Sequence, residues 1–147
     1  MSFFKPGKKN LITDVKGLYV GNSENELINT GTTIVTCEDR FIASYRLLGG
    51  APGTRETDLL EPDKLVEKID ALVLSGGSAF GLEAASETVN LFRKDNKGYS
   101  VGKNKVPIVP SAIIFDLING GKKNWKKNPY TILAQKAYTD LGSSFKI

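Results

Sequence analysis

Apolar and polar positions change period along the chain, and the changes divide it into strand-like and helix-like stretches. Leu18-Tyr19-Val20, bracketed by Gly17 and Gly21, predicts a short strand. Thr32-Thr33-Ile34-Val35-Thr36-Cys37 and Phe41-Ile42-Ala43-Ser44-Tyr45-Arg46-Leu47-Leu48 are β-branched or aromatic runs joined by the polar Glu38-Asp39-Arg40. Together they read as a hairpin. Gly49 to Asp58 holds three glycines and a proline, so it continues neither strand nor helix and reads as a loop. Behind Asp63, a candidate cap, Leu65, Val66 and Ile69 share one helical face and predict a short amphipathic helix. Ala71-Leu72-Val73-Leu74 is an apolar run of the kind found in a buried strand. Ser75-Gly76-Gly77 then turns the chain, and Ser78 is placed to cap a helix of about sixteen residues carrying Leu82, Ala85, Val89 and Phe92 on one face. Val106-Pro107-Ile108-Val109-Pro110 is extended, but its prolines restrict it to an edge or an irregular strand, with Ala112 to Phe115 continuing it. The last periodic piece, Tyr130 to Leu141, places Leu133, Ala137 and Leu141 on one face and ends at Gly142.

Composition narrows the chemistry more than it alters this outline. The 147 residues are 40% hydrophobic and 24% charged, which fits one soluble globular domain. No apolar run approaches the ~18 residues of a membrane span, and residues 1–9 lack the apolar core of a secretion signal, so the protein is read as cytoplasmic with no membrane partner. There is no histidine, and Cys37 is the single cysteine. Catalytic triads built on an imidazole, histidine-containing zinc sites, an internal disulfide and a CxxC motif are thereby removed, and neither a metal nor a cofactor is expected. The net charge of +4 is uneven: residues 1–100 carry 12 basic and 14 acidic side chains, residues 101–147 carry 8 and 2. Lys122, Lys123, Lys126 and Lys127 surround Trp125, but without an arginine and in a turn-like segment ending in Asn128-Pro129. A solvated loop explains them better than a nucleic-acid surface.

The most chemically suggestive stretch is Ser75-Gly76-Gly77-Ser78-Ala79-Phe80-Gly81, because glycines between a strand and a helix start can expose N–H groups to an anion or oxyanion. It matches neither a dinucleotide fingerprint nor a phosphate loop, and Phe80 stands where a nucleophile elbow needs glycine. A tight turn with a cap is the plain alternative. Arg55, Glu56 and Asp58 either fix their loop or meet a partner chain, Asp14 and Asp116 read as cap or turn formers, and Cys37 reads as a small buried apolar residue.

Four segments taken in order, Asn10 to Gly21, Gly50 to Asp58, Leu74 to Leu82, and Val106 to Pro110 leading to Phe115-Asp116-Leu117, strongly resemble the DmpA family. These are the L-aminopeptidase/D-esterase, β-peptidyl aminopeptidase and nylon-oligomer hydrolase enzymes, peptidase family S58. The resemblance implies an α/β/β/α sandwich and a self-processing amide hydrolase whose new N-terminal Ser or Thr attacks the amide. Its own α-amino group can serve as base, so the lack of histidine is no obstacle. In the family the cleavage site and nucleophile lie in the later part of a chain more than twice this long. Residues 1–147 are therefore read as the N-terminal portion of such a domain, from a truncated or split product or a fragment, with no catalytic residue of its own. Candidate substrate contacts are Gly77, Ser78, Ser111 and Phe115. Ser111 and Ile113 stand near where the aminopeptidase branch has a glutamate and a tyrosine, whereas Phe115-Asp116 follows the Tyr-Asp of the nylon-hydrolase-like branch without its hydroxyl. The sequence sides with the second branch. The expected function is scaffold and substrate-pocket wall for a small peptide or amide, in a homo-oligomer or with a complementing nucleophile chain; the alternative is an inactive remnant or an oligomeric binding module. A half-sandwich also predicts an uncovered sheet face or edge with exposed apolar surface.

Overall fold

A computed structural model describes residues 5–145. Residues 1–4, which bear on the leader reading, and residues 146–147 lie outside the described residues. The strands are β1 (Leu18–Asn25), β2 (Thr30–Phe41), β3 (Thr54–Arg55), β4 (Ile69–Ser75), β5 (Tyr99–Val101), β6 (Asn104–Val106) and β7 (Ser111–Ile113). The helices are α1 (Glu83–Lys94) and α2 (Tyr130–Thr139). Five strands form a mixed sheet in the order β1-β2-β4-β7-β3, with only β4 and β7 parallel, while β5 and β6 make a separate hairpin. The α/β class expected from the sequence is therefore observed, as a five-stranded sheet with one helical layer and a separate two-stranded hairpin.

Alternation along the strands decides which face the helices cover. On β4, Ile69, Ala71, Val73 and Ser75 are buried, while Leu72 is half-buried and Leu74 is 53% exposed. On β2, Thr32, Ile34 and Thr36 are buried and their neighbours are not. The buried set joins Ala84, Ala85, Phe92, Tyr130, Leu133, Ala134 and Ala137 in one core between sheet and helices. Gly21 allows the close approach of α2 to β1, since a Cβ there would sit 1.9 Å from the Ala137 carbonyl oxygen. Two positions along, the Ser23 hydroxyl donates to the Leu133 carbonyl at 2.7 Å.

Three local expectations give way to longer-range contacts. The hairpin is not Thr32–Cys37 with Phe41–Leu48; β2 pairs with β1 instead, through a turn at residues 26–29 in which the Asn25 side chain accepts the Ile28 N–H and Asn29 is left-handed at φ 57°. Glu38-Asp39-Arg40 is the irregular end of β2, not a turn. The register shifts between Thr36 and Phe41, the Glu38 N–H reaches the Gly17 carbonyl, and Arg40 lies 3.5 Å from the buried Asp70 carboxylate. No helix forms at residues 63–69: Ile69 enters β4, where it is 1% exposed, and Leu65 is left 86% exposed. A face of three apolar residues in so short a helix cannot outweigh burial of Ile69 in the sheet. Ser78 does not cap α1. It is itself left-handed at φ 52° and starts a 3-10 turn, Ser78–Leu82, that leads into the helix.

Residues 107–110 are irregular, as the prolines require, yet buried rather than at an edge. The Ile108 and Pro110 carbonyls accept N–H groups from Asp70 and Val73, and the Ile108 N–H is held by the Asp70 carboxylate at 2.8 Å. Asp70 thus satisfies the buried Ile108 N–H between the two prolines, which interrupt the regular ladder. No helix among the described residues is long and apolar enough to cross a membrane.

Candidate functional site

The Ser75-Gly76-Gly77 turn lies where β4 ends and the chain crosses to the 3-10 turn before α1. Its conformation is fixed by groups distant in sequence. Gly77 is left-handed at φ 89°, and a Cβ there would lie 2.1 Å from the Tyr130 ring. A Cβ on Gly76 would lie 2.0 Å from an Asp116 carboxylate oxygen and 2.2 Å from the Thr30 hydroxyl. Only glycines admit this approach.

The space they leave holds a polar network. Asp116, 6% exposed, accepts the Gly77 N–H at 2.7 Å on one carboxylate oxygen and the Thr30 hydroxyl at 2.6 Å on the other. The Thr30 oxygen is also 3.0 Å from the Tyr130 hydroxyl. Thr30 has one proton and gives it to Asp116, so Tyr130 donates to Thr30. Burial pushes the Tyr130 phenol above its ordinary pKa, and the nearby Asp116 charge adds to the effect. The Gly77 N–H is thus committed to Asp116 and the Ser78 N–H to the Ile114 carbonyl, so neither is a free oxyanion donor in this conformation.

On the open side of the sheet this turn closes one end of a groove of about 520 Å³. Thr33, Leu74, Ala112 and Ile114 supply side chains to it from three neighbouring strands and the end of β7, with Thr30 and Asp116 at the polar end. Asn29 and Asn119 close that end by donating their side-chain amides to each other's carbonyls, at 2.9 and 3.0 Å. A slightly larger hollow of about 570 Å³, between β1 and α2, gathers Asn22, Glu24, Gln135, Lys136 and Asp140 without a buried polar group directed into it.

The candidate contacts read from the sequence do not all meet there. Ser75 and Gly76 line the groove but Gly77 and Ser78 do not, and Phe115, 62% exposed, lies in sequence between two groove residues, Ile114 and Asp116. Ser111 occupies the far end of β7; it is 3% exposed, pairs with the core residue Val73, and its hydroxyl has no partner among the described residues. Sequence reasoning missed Thr30 and Tyr130 altogether and took Asp116 for a turn former. The adjacent Gly76-Gly77 was the one available signal, because paired glycines imply that something comes close.

Elsewhere, Asp14 is a turn former: its carboxylate accepts the Lys9 and Leu11 N–H groups, and the first of these bonds chiefly holds its pKa below the ordinary carboxylate value. Cys37 is half-buried, with burial raising its thiol pKa. Trp125 does not stand free among the lysines. Its ring packs edge-on against Phe80 and Tyr130, with centroids 6.0 and 6.3 Å away, and Lys123 reaches back to the Ile28 carbonyl. No group of three or more Cys, Asp or Glu residues suited to a metal occurs among the described residues.

Comparison with known proteins adds relatives to this geometry. The chain is 41% identical over 128 residues to uncharacterized aminopeptidases of Mycobacterium bovis and Mycobacterium tuberculosis, a match covering 82% of this chain and 36% of each relative. The fold is shared with a protein of Pyrococcus horikoshii OT3 at TM-score 0.69 and 19% identity, over 99% of this chain and 44% of that one. It is shared also with the L-aminopeptidase D-Ala-esterase/amidase of Ochrobactrum anthropi, described as a variant of the Ntn hydrolase fold, at TM-score 0.68 and 17% identity, over 97% and 43%. This chain therefore spans little more than a third of the curated relatives it matches. The model of Peptidase family S58 matches residues 10–143, and the chain belongs to that family.

Proposed function

We propose that residues 1–147 act as the scaffold and one substrate-pocket wall of a self-processing amide hydrolase, with the Ser or Thr nucleophile supplied by sequence outside this chain. The observation that carries this reading is the family match over residues 10–143 on a sheet whose second face is open and grooved. Within a four-layer sandwich that face turns toward a second sheet. Leu74, Ala112 and Ile114 then become an apolar wall against which a peptide or ω-amino-acid amide lies. Phe115 is the best placed of the four candidate contacts, since its ring is exposed beside the groove. Gly77 and Ser78 shape the end of the groove through Asp116, Thr30 and Tyr130, and Ser111 acts from the packed side of β7.

The wall does no proton transfer. Asp116 is saturated by hydrogen bonds from Gly77 and Thr30, which suits a group that holds a turn more than one that must exchange protons with a substrate. The test is hydrolysis of peptide amides and ω-amino-acid amides by the purified 147-residue chain, alone and co-expressed with the portion of the Mycobacterium tuberculosis relative outside the match. Turnover only in the co-expressed form is the expected result. Turnover by this chain alone would overturn the assignment of the nucleophile to another segment, and an associated but inactive pair would favour a binding module.

A further inference from the structure

The segment following β2 has the habit of a strand without a strand's partner. Phe41, Ala43 and Tyr45 are half-buried, whereas Ile42, Ser44 and Arg46 are exposed, a period of two over six residues, and Leu47 and Leu48 that follow are both exposed. The Glu61 carboxylate chiefly raises the phenol pKa of Tyr45, with burial and the charge of Asp58 adding to the effect. Yet no strand pairs with residues 42–48 among the described residues. Ile42 is 76% exposed, Leu47 50% and Leu48 75%. Residues of high strand propensity, with no ladder partner among the described residues and with aliphatic side chains in water, form an open template for strand addition.

We infer that Ile42–Leu48 is a docking strand, and that its occupant is a β-strand from the part of the S58 domain lying outside the matched region. Nearly two thirds of the length of the curated relatives lies there, ample to supply strands beyond those that cover the groove. The mixed face fits such a neighbour, since Ile42 and Leu48 bracket Ser44 and Arg46 and call for aliphatic side chains at the ends and a polar or acidic one between. The inference rests on the proposal that outside sequence completes this domain, and it adds a second, separate line of contact.

Hydrogen exchange tests it, comparing the 147-residue chain alone with the chain co-expressed with the outside portion of the Mycobacterium tuberculosis relative. The expected result is fast exchange at 42–48 in the chain alone and protection of about tenfold or more in the pair, at alternate amides. Ala43→Pro and Ser44→Pro refine it, because adjacent N–H groups point to opposite strand edges. One of the two weakens association by about tenfold, the equivalent of a lost ladder bond, while the other does so much less. Neither shifts the melting temperature of the isolated chain, where the segment has no ladder to lose. If the pair forms and shields Leu74 and Ile114 but leaves 42–48 exchanging freely, the docking strand is overturned while the proposed function stands. Protection that grows with concentration in the chain alone assigns the strand to a second copy and overturns the inference. If the two portions never associate, both fall together.

Discussion

The two faces of the five-stranded sheet share the same backbone and differ in almost everything else. Along β4, Ala71 and Val73 are fully buried beneath the helices, whereas Leu72 and Leu74 on the opposite face remain half-buried or exposed. Both faces are apolar by sequence, so the run 71–74 carries no alternation at all. A strand apolar on both sides belongs between two layers. Leu72 and Leu74 thus leave the second face of the sheet apolar and open, and the proposed pocket wall rests on that feature.

Mutation should separate the faces sharply. Phe92→Ala on the covered side is expected to cost about 3–5 kcal/mol, while Leu74→Ala on the open side costs less than about 1 kcal/mol in chemical denaturation of the isolated chain. Equal losses would mean that the open face is already packed. At the boundary between the faces, Gly77→Ala combines a left-handed backbone with a collision against Tyr130, and should destabilise by about 2–4 kcal/mol. A stability change under 1 kcal/mol there would show that the turn is not pinned as described. Asp116→Ala strips partners from the Gly77 N–H and the Thr30 hydroxyl and should cost about 1–3 kcal/mol. Asp116→Asn, able to accept both bonds on its single oxygen only at the expense of geometry, should fall between that variant and the parent.

The smallest effect concerns alkaline pH. Burial raises the phenols of Tyr130 and Tyr138, and Tyr138 is also hydrogen-bonded to the Asp95 carboxylate. A raised pKa contributes stability that is fully present below the ordinary tyrosine value of about 10 and is lost as pH rises through the folded value. Unfolding free energy should therefore decline above about pH 10, with a limiting slope of about 1.4 kcal/mol per pH unit for each such group. Tyr138→Phe should make the decline shallower while removing little stability at pH 7. An unchanged slope in that variant would place the alkaline sensitivity elsewhere.

What the sequence disclosed and what it hid follow from the range of the interactions. The strand at 71–74, the helix face of Leu82, Ala85, Val89 and Phe92, and the last helix from Tyr130 were legible because their patterns are local and strong. The pairing of β2 was not, since Glu38-Asp39-Arg40 looks like a turn until Asp70 and Gly17 supply its contacts from elsewhere. For the site, the glycine pair was visible but its reason was not. Asp116 is 39 residues from Gly77 and 86 from Thr30, and Tyr130 is 100 from Thr30, distances over which a single sequence carries no pattern. Phe41 to Leu48 is the instructive middle case: the run reads as a strand in the sequence, yet only Phe41 enters the sheet, opposite Ile69, and residues 42–48 form no strand.

The most direct measurement is side-chain footprinting of Leu72, Leu74 and Ile114 in the 147-residue chain alone and in association with the outside portion of the Mycobacterium tuberculosis relative. Ready labelling is expected in the isolated chain and strong loss of labelling at these three residues on association, with buried Ile34 and Phe92 unlabelled throughout. An associated pair in which Leu74 and Ile114 stay as reactive as before would contradict it, because the open face would then not be where the domain is completed.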